Sequence, residues 1–167
     1  MWKKQETVLY ANNGLCLIED VRQESFSGES RTYYVLAPLN DSKSRVYVPT
    51  DNEIVLKKMH KLLSEEQAVE LIKALPSLET EWISHDKMRQ DFFKKALESG
   101  DRRAIGAAYR TLTLKKKELE GRGKKLRAAD EAILSNAQKM LLEEFSFVLG
   151  EDPEKLILLF KESEQNC

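Results

Sequence analysis

Little in this 167-residue chain invites redox, metal or nucleophilic chemistry, because it holds only two cysteines and two histidines. Cys16 stands in an apolar, strand-like run and Cys167 is the last residue, so their spacing gives neither a metal motif nor a disulfide framework. Both read as ordinary thiols. His60 and His85 are the side chains whose ordinary pKa lies near neutrality, and neither has a Ser or Cys beside it in a nucleophile setting. The seven glycines are scattered and form no phosphate-cradling G-x-G-x-x-G or G-x-x-x-x-G-K pattern. Apolar runs such as Leu156 to Phe160 fall far short of the ~20 residues that span a bilayer. With no secretory leader ahead of the lysines near Met1, a cytoplasmic location is expected. These deficits point away from an enzyme, a cofactor, a bound metal, a small-molecule substrate and a membrane.

What the chain does hold is charge, at 33% of residues, and two regions of different hydrophobic period. Val8, Tyr10, Cys16, Ile18, Tyr34, Leu36, Val46 and Val48 recur at alternate positions within short stretches, the mark of strands with one buried face. Turn-forming clusters separate them: Asn12-Asn13-Gly14, Ser25 to Ser30 around Gly28, and Asn40 to Ser44. Four or five such strands are too few for a sandwich, so a small, strongly bent barrel of the SH3 or Tudor kind is expected from Thr7 to about Leu56.

Beyond His60 the period becomes helical. Ser64 and Gln67 form a capping box ahead of Ala68, Leu71, Ile72 and Leu75, and Pro76 ends that helix. A second helix is expected near Ser84 as N-cap, with Ile83 and Met88 as its hydrophobic staple, and Gly100-Asp101 separates it from a third. Gly121 and Gly123 break the third, a fourth covers roughly Arg127 to Leu149, and Gly150, Asp152 and Pro153 introduce a short last one. The fold class is therefore α+β: a small N-terminal Tudor/SH3-like β-barrel over residues 1–57, then a compact all-α domain of about five helices over 58–167. The link Asp51 to Leu63 lacks Gly and Pro, which predicts a connection of limited freedom.

Near-neutrality hides an uneven distribution of charge. Trp82 to Met140 carries 15 basic and 8 acidic residues, while the remainder carries 12 and 20. The densest basic group, Lys115, Lys116, Lys117, Arg122, Lys124, Lys125 and Arg127, surrounds the glycine-broken helix junction. Such a patch suits either a polyanion, through counterion release, or simply a solvated helix face. Trp82 lies between Pro76 and the next helix, where no apolar stripe claims it. It is placed either to wedge against a base step, as minor-groove binders do, or to plug the domain junction.

Several segments, in order, resemble the CarD/CdnL family of bacterial transcription regulators. They are Tyr10 to Ile18 (YANNGLCLI), Gly28 followed by Tyr33-Tyr34-Val35-Leu36, Val46 to Pro49 (VYVP), Trp82, Ser99-Gly100-Asp101, and Leu126 with Glu131, Leu134 and Ala137. The resemblance implies that the Tudor-like half binds the RNA polymerase β subunit. It further implies that the helical half meets promoter DNA at the upstream fork of the transcription bubble, with Trp82 wedged in the minor groove, so that the open complex is stabilised. The expected location is then cytoplasmic, with the nucleoid reached through polymerase.

On this reading Trp82, Lys87, Arg89, Lys124, Lys125 and Arg127 are the DNA-binding candidates, and Phe26, Val46 and Tyr47 the polymerase-binding ones, through strand addition to a sheet edge. Glu24 and Tyr47 stand where relatives can carry arginine, and Glu131 and Ala132 where some carry a basic pair. Two other readings stay open: a protein-only adaptor built on a Tudor-like barrel and a helical surface, and a nucleic-acid binder independent of polymerase.

Overall fold

Five antiparallel strands build the first unit: β1 (Thr7–Tyr10), β2 (Gly14–Ser25), β3 (Ser30–Pro38), β4 (Val46–Pro49) and β5 (Met59–Lys61), in the order β4-β3-β2-β1-β5. The computed structural model describes residues 1–165, which places Cys167 outside the described residues. The alternate positions Val8, Cys16, Ile18, Tyr34, Leu36 and Val48 form one core with Met59, as their period predicts. Cys16 is fully buried in that core. Leu9, Leu15 and Val35, on the opposite phase, are buried too, so both faces of the sheet are shielded near its centre.

Pairing of β2 with β3 slips between Ile18 and Asp20, leaving Glu19 as the extra residue of a bulge that bends the sheet toward a barrel. Arg45 fixes the Glu19 carboxylate with two hydrogen bonds, at 2.7 and 3.1 Å. Gly28 takes φ = 87° in the β2–β3 turn, a left-handed geometry that side-chain-bearing residues avoid.

The stretch expected to be a plain link is structured. Helix α1 (Glu53–Leu56) starts at Asn52, whose Oδ1 accepts the Ile54 and Val55 N–H groups, and β5 then pairs with β1, Leu9 opposite His60. The two compact units are therefore Met1–Leu62 and the chain from Leu63 onward, and the boundary lies five residues later than 57/58. A three-residue edge strand is too short to show a period, and its partner is about fifty residues away in the chain.

The second unit consists of α2 (Glu65–Ala74), α3 (Asp86–Glu98), α4 (Arg102–Gly121), α5 (Ala128–Leu149) and α6 (Pro153–Gln165). Ser64 Oγ accepts the Gln67 N–H at 3.1 Å while Gln67 Oε1 accepts the Ser64 N–H at 2.9 Å, the reciprocal box read from the sequence. Ser64→Ala is expected to cost about 1 kcal/mol, read as a lowered melting temperature of the full chain. Pro76 sits in the 3-10 turn Leu75–Ser77 that ends α2. Gly100, at φ = 74°, turns the chain so that Asp101 Oδ1 can accept the Arg103 and Ala104 N–H groups at the start of α4.

The helices share one apolar core, including Leu71, Phe93, Ile105, Leu112, Leu141 and Phe145. Glu144 enters it at 2% exposure, accepting from Arg102 at 2.9 and 3.0 Å and from the Leu63 N–H at 2.9 Å. This carboxylate ties the entry of α2 and the first turn of α4 to α5. Among the described residues no helix is long and apolar enough to cross a membrane.

Candidate functional site

Trp82 lies on the extended segment between the 3-10 turn and α3, and three contacts set the course of that segment. Leu78 is buried, and its carbonyl accepts a hydrogen bond from Arg110 of α4. Gly106 makes room for it: a Cβ there would stand 2.9 Å from Leu75 and 3.0 Å from Leu78. At the far end the carbonyls of Ile83 and Ser84 accept from the Arg89 guanidinium at 3.1 and 3.4 Å.

The N-cap of α3 is His85 rather than Ser84; its Nδ1 accepts the Met88 N–H at 3.3 Å. This one-residue shift removes the expected staple. Met88 becomes the third helical residue and points outward, 61% exposed, while Arg89, the fourth, turns into the core.

Arg89, expected on phosphate, lies inside the unit with its donors engaged. It is 2% exposed, and each of its five N–H donors has an acceptor. Besides the two carbonyls, Nε donates to Asp130 Oδ1 at 3.1 Å, and the remaining nitrogen donates to Asp130 Oδ2 at 2.6 Å and Asp86 Oδ1 at 2.9 Å. Asp130, itself buried, stands in the first turn of α5, where the helix dipole favours its negative charge. Hydrogen bonding to Asp130 outweighs burial and raises the Arg89 guanidinium above its ordinary pKa. The donors lie in the guanidinium plane, which leaves the faces free to stack, and the Trp82 ring centroid is 4.3 Å from the guanidinium carbon. Lys115 Nζ lies 5.2 Å from the same centroid.

Trp82 is therefore not outside the core, as its sequence position suggested. It is partly buried and packs against the helical core.

The other basic candidates divide by pairing. Arg127, at the N-cap of α5, is 71% exposed at its side chain and places Nε 3.0 Å from Asp86 Oδ2, so Asp86 links it to Arg89. Lys87, Lys124 and Lys125 are exposed and have no ion pair among the described residues. Lys116 donates to Glu131 at 2.7 Å, a bond that raises the Lys116 pKa above its ordinary value.

Sequence reasoning missed Asp130 and Asp86, and it placed Lys115 in the basic group without linking it to Trp82. The signal for the first was available: Arg89 shares a helical stripe with Phe93 and Leu97, and a charge on a buried stripe needs a buried counter-charge.

On the sheet unit, Phe26 and Tyr47 come together with a third ring, Tyr33. Phe26 packs edge-on to Tyr33 at 5.2 Å and to Tyr47 at 5.0 Å, and it remains 60% exposed. Arg22 reaches the Tyr47 hydroxyl at 3.3 Å and is itself held by Glu24 at 2.7 Å. Val46 packs against the strand core, so its contribution to a surface is its place on β4, an edge strand of the sheet.

Residues 3–61 match the family model of the CarD-like/TRCF RID domain, an RNA-polymerase-interacting domain. The match is confined to the first unit. The CarD-like domain thus spans all five strands and ends before α2, so the match leaves the helical unit outside it. Comparison with curated proteins gives no match. A CarD-like RID domain supports an RNA-polymerase-interacting transcription factor.

Proposed function

We propose that the protein regulates transcription initiation in the CarD manner. The CarD-like domain holds the β subunit of RNA polymerase, and the helical unit sets Trp82 into the minor groove at the upstream edge of the bubble, which stabilises the open complex. The observation that carries this reading is the partly buried indole stacked on the guanidinium of Arg89. A wedge must keep its shape while it parts stacked bases, and a ring braced by a fully bonded guanidinium satisfies that need. Lys87, Lys124, Lys125 and Arg127 are the phosphate contacts on this reading. Arg127 would exchange Asp86 for phosphate, with Asp86 remaining neutralised by Arg89.

Affinity for the polymerase β subunit would come from β4 as an edge that accepts a further strand and from the Phe26, Tyr33 and Tyr47 rings beside it. Phe26→Ser removes a ring that is mostly exposed, so the fold should persist while capture of polymerase by the full chain weakens roughly tenfold. Unchanged capture would remove this face from the interface.

The helical half is tested by salt. Binding of the protein to a polymerase–forked promoter complex should weaken as salt rises. The double variant Lys124→Ala/Lys125→Ala should lower the slope of log K against log salt by roughly 2, near one unit per lost phosphate contact. Capture of polymerase with no salt-dependent engagement of forked DNA would instead leave the protein-only adaptor.

A further inference from the structure

We propose that the groove between α3 and α4, roofed by the segment leading to Trp82, docks a protein segment in which an apolar side chain stands next to a lysine or arginine. The groove encloses about 580 Å³, and its floor is made of small residues, Ala96 from α3 and Ala104 and Ala107 from α4. Phe92 borders it with 54% of its surface in solvent, and Met88, one turn earlier on the same helix, is 61% exposed. A large exposed ring beside a concave, alanine-floored space is the arrangement in which one buried anchor side chain supplies most of a binding energy.

Charge decides the class of partner. The ionised side chains in the lining are Glu79 and Glu81, both exposed and neither in an ion pair among the described residues. Two unneutralised carboxylates at the mouth repel phosphates, which sets the groove apart from the lysines proposed to meet DNA. They attract a basic group and would orient it as the apolar neighbour enters. The occupant is therefore a basic and apolar polypeptide segment. It would hold the residues immediately before Trp82, so that groove occupancy and indole position share one stretch of backbone. This inference does not rest on the polymerase reading: a chain that fails to capture polymerase would still fill the groove.

The experiment uses the full-length protein labelled with ¹⁵N and three short synthetic peptides: alternating Lys and Leu, alternating Lys and Ser, and alternating Glu and Leu. The Lys–Leu peptide should shift the amide resonances of Glu79, Glu81, Ala96, Ala104 and Ala107. Its affinity should fall about tenfold in Glu79→Lys/Glu81→Lys, by loss of the rim charge, and also in Ala107→Trp, which fills the floor. The charge variant alters only exposed side chains, so it reads out even if the tryptophan variant folds poorly. Equal binding of the Lys–Ser peptide would reduce the site to surface charge, and equal binding of the Glu–Leu peptide would reduce it to apolar contact. Either result overturns the proposal, as do shifts confined to other surfaces or self-association through the groove in place of peptide binding.

Discussion

Replacing Arg89 by methionine should lower the stability of the helical unit by about 3–5 kcal/mol, the loss typical when one member of a buried ion pair is removed. The size follows from what stays behind. Asp130 is 1% exposed and would keep no cationic partner, while the carbonyls of Ile83 and Ser84 would each lose a donor. For a unit of about a hundred residues this corresponds to a melting temperature lower by roughly 15 °C or more in a scan of the full chain.

The double variant Arg89→Met/Asp130→Leu separates two roles of the arginine. Removing both buried charges together can be neutral or stabilising, so most of the lost stability should return. The brace under Trp82 does not return with it. The prediction is therefore a refolded helical unit with altered tryptophan fluorescence and a weakened promoter effect. If the promoter effect recovered along with stability, the arginine would be structural only. Arg89→Lys should rescue little, because an ammonium offers one compact charge where five donors in a planar fork are engaged.

The parts legible in the sequence are those governed by local chemistry. The inward strand positions, the Ser64–Gln67 box, the Gly100–Asp101 turn and the helix breaks at Gly121 and Gly150 all follow from period, capping and backbone freedom, and the structure has each of them. What stayed hidden depends on contacts between distant residues. β5 exists because β1 offers it an edge, not because Met59 to Lys61 prefer extension. Residue type alone favours Ser84 as N-cap, but His85 takes that place where Arg89 holds the Ile83 and Ser84 carbonyls. The charge of Arg89 suggests a surface position, whereas its place on the Phe93 and Leu97 stripe turns it inward. The candidate polymerase face shows the same division. The resemblance supplies Phe26 and Tyr47 as candidates, but Tyr33 joins them only through the β2–β3–β4 registry.

The largest functional effect is expected from Trp82→Ala. An indole inserted at a base step contributes stacking of about 1–3 kcal/mol against an unstacking cost that promoter melting has already met at the edge of the bubble. Loss of that contribution should shorten the open-complex lifetime in the presence of the protein by roughly tenfold, the equivalent of about 1.4 kcal/mol. The ring is half-buried, so alanine also removes packing; a melting scan of the variant must show the helical unit folded at the assay temperature. Two further readouts distinguish a wedge from a phosphate contact. Trp82→Ala should leave the salt slope of binding unchanged, because no charge is lost, whereas the Lys124 and Lys125 substitutions change the slope and leave the indole in place. Trp82→Phe should retain part of the lifetime, since a smaller ring still stacks. An open complex equally long-lived with alanine at this position, in a folded protein that still captures polymerase, would remove the wedge and assign the helical unit's effect to its lysines.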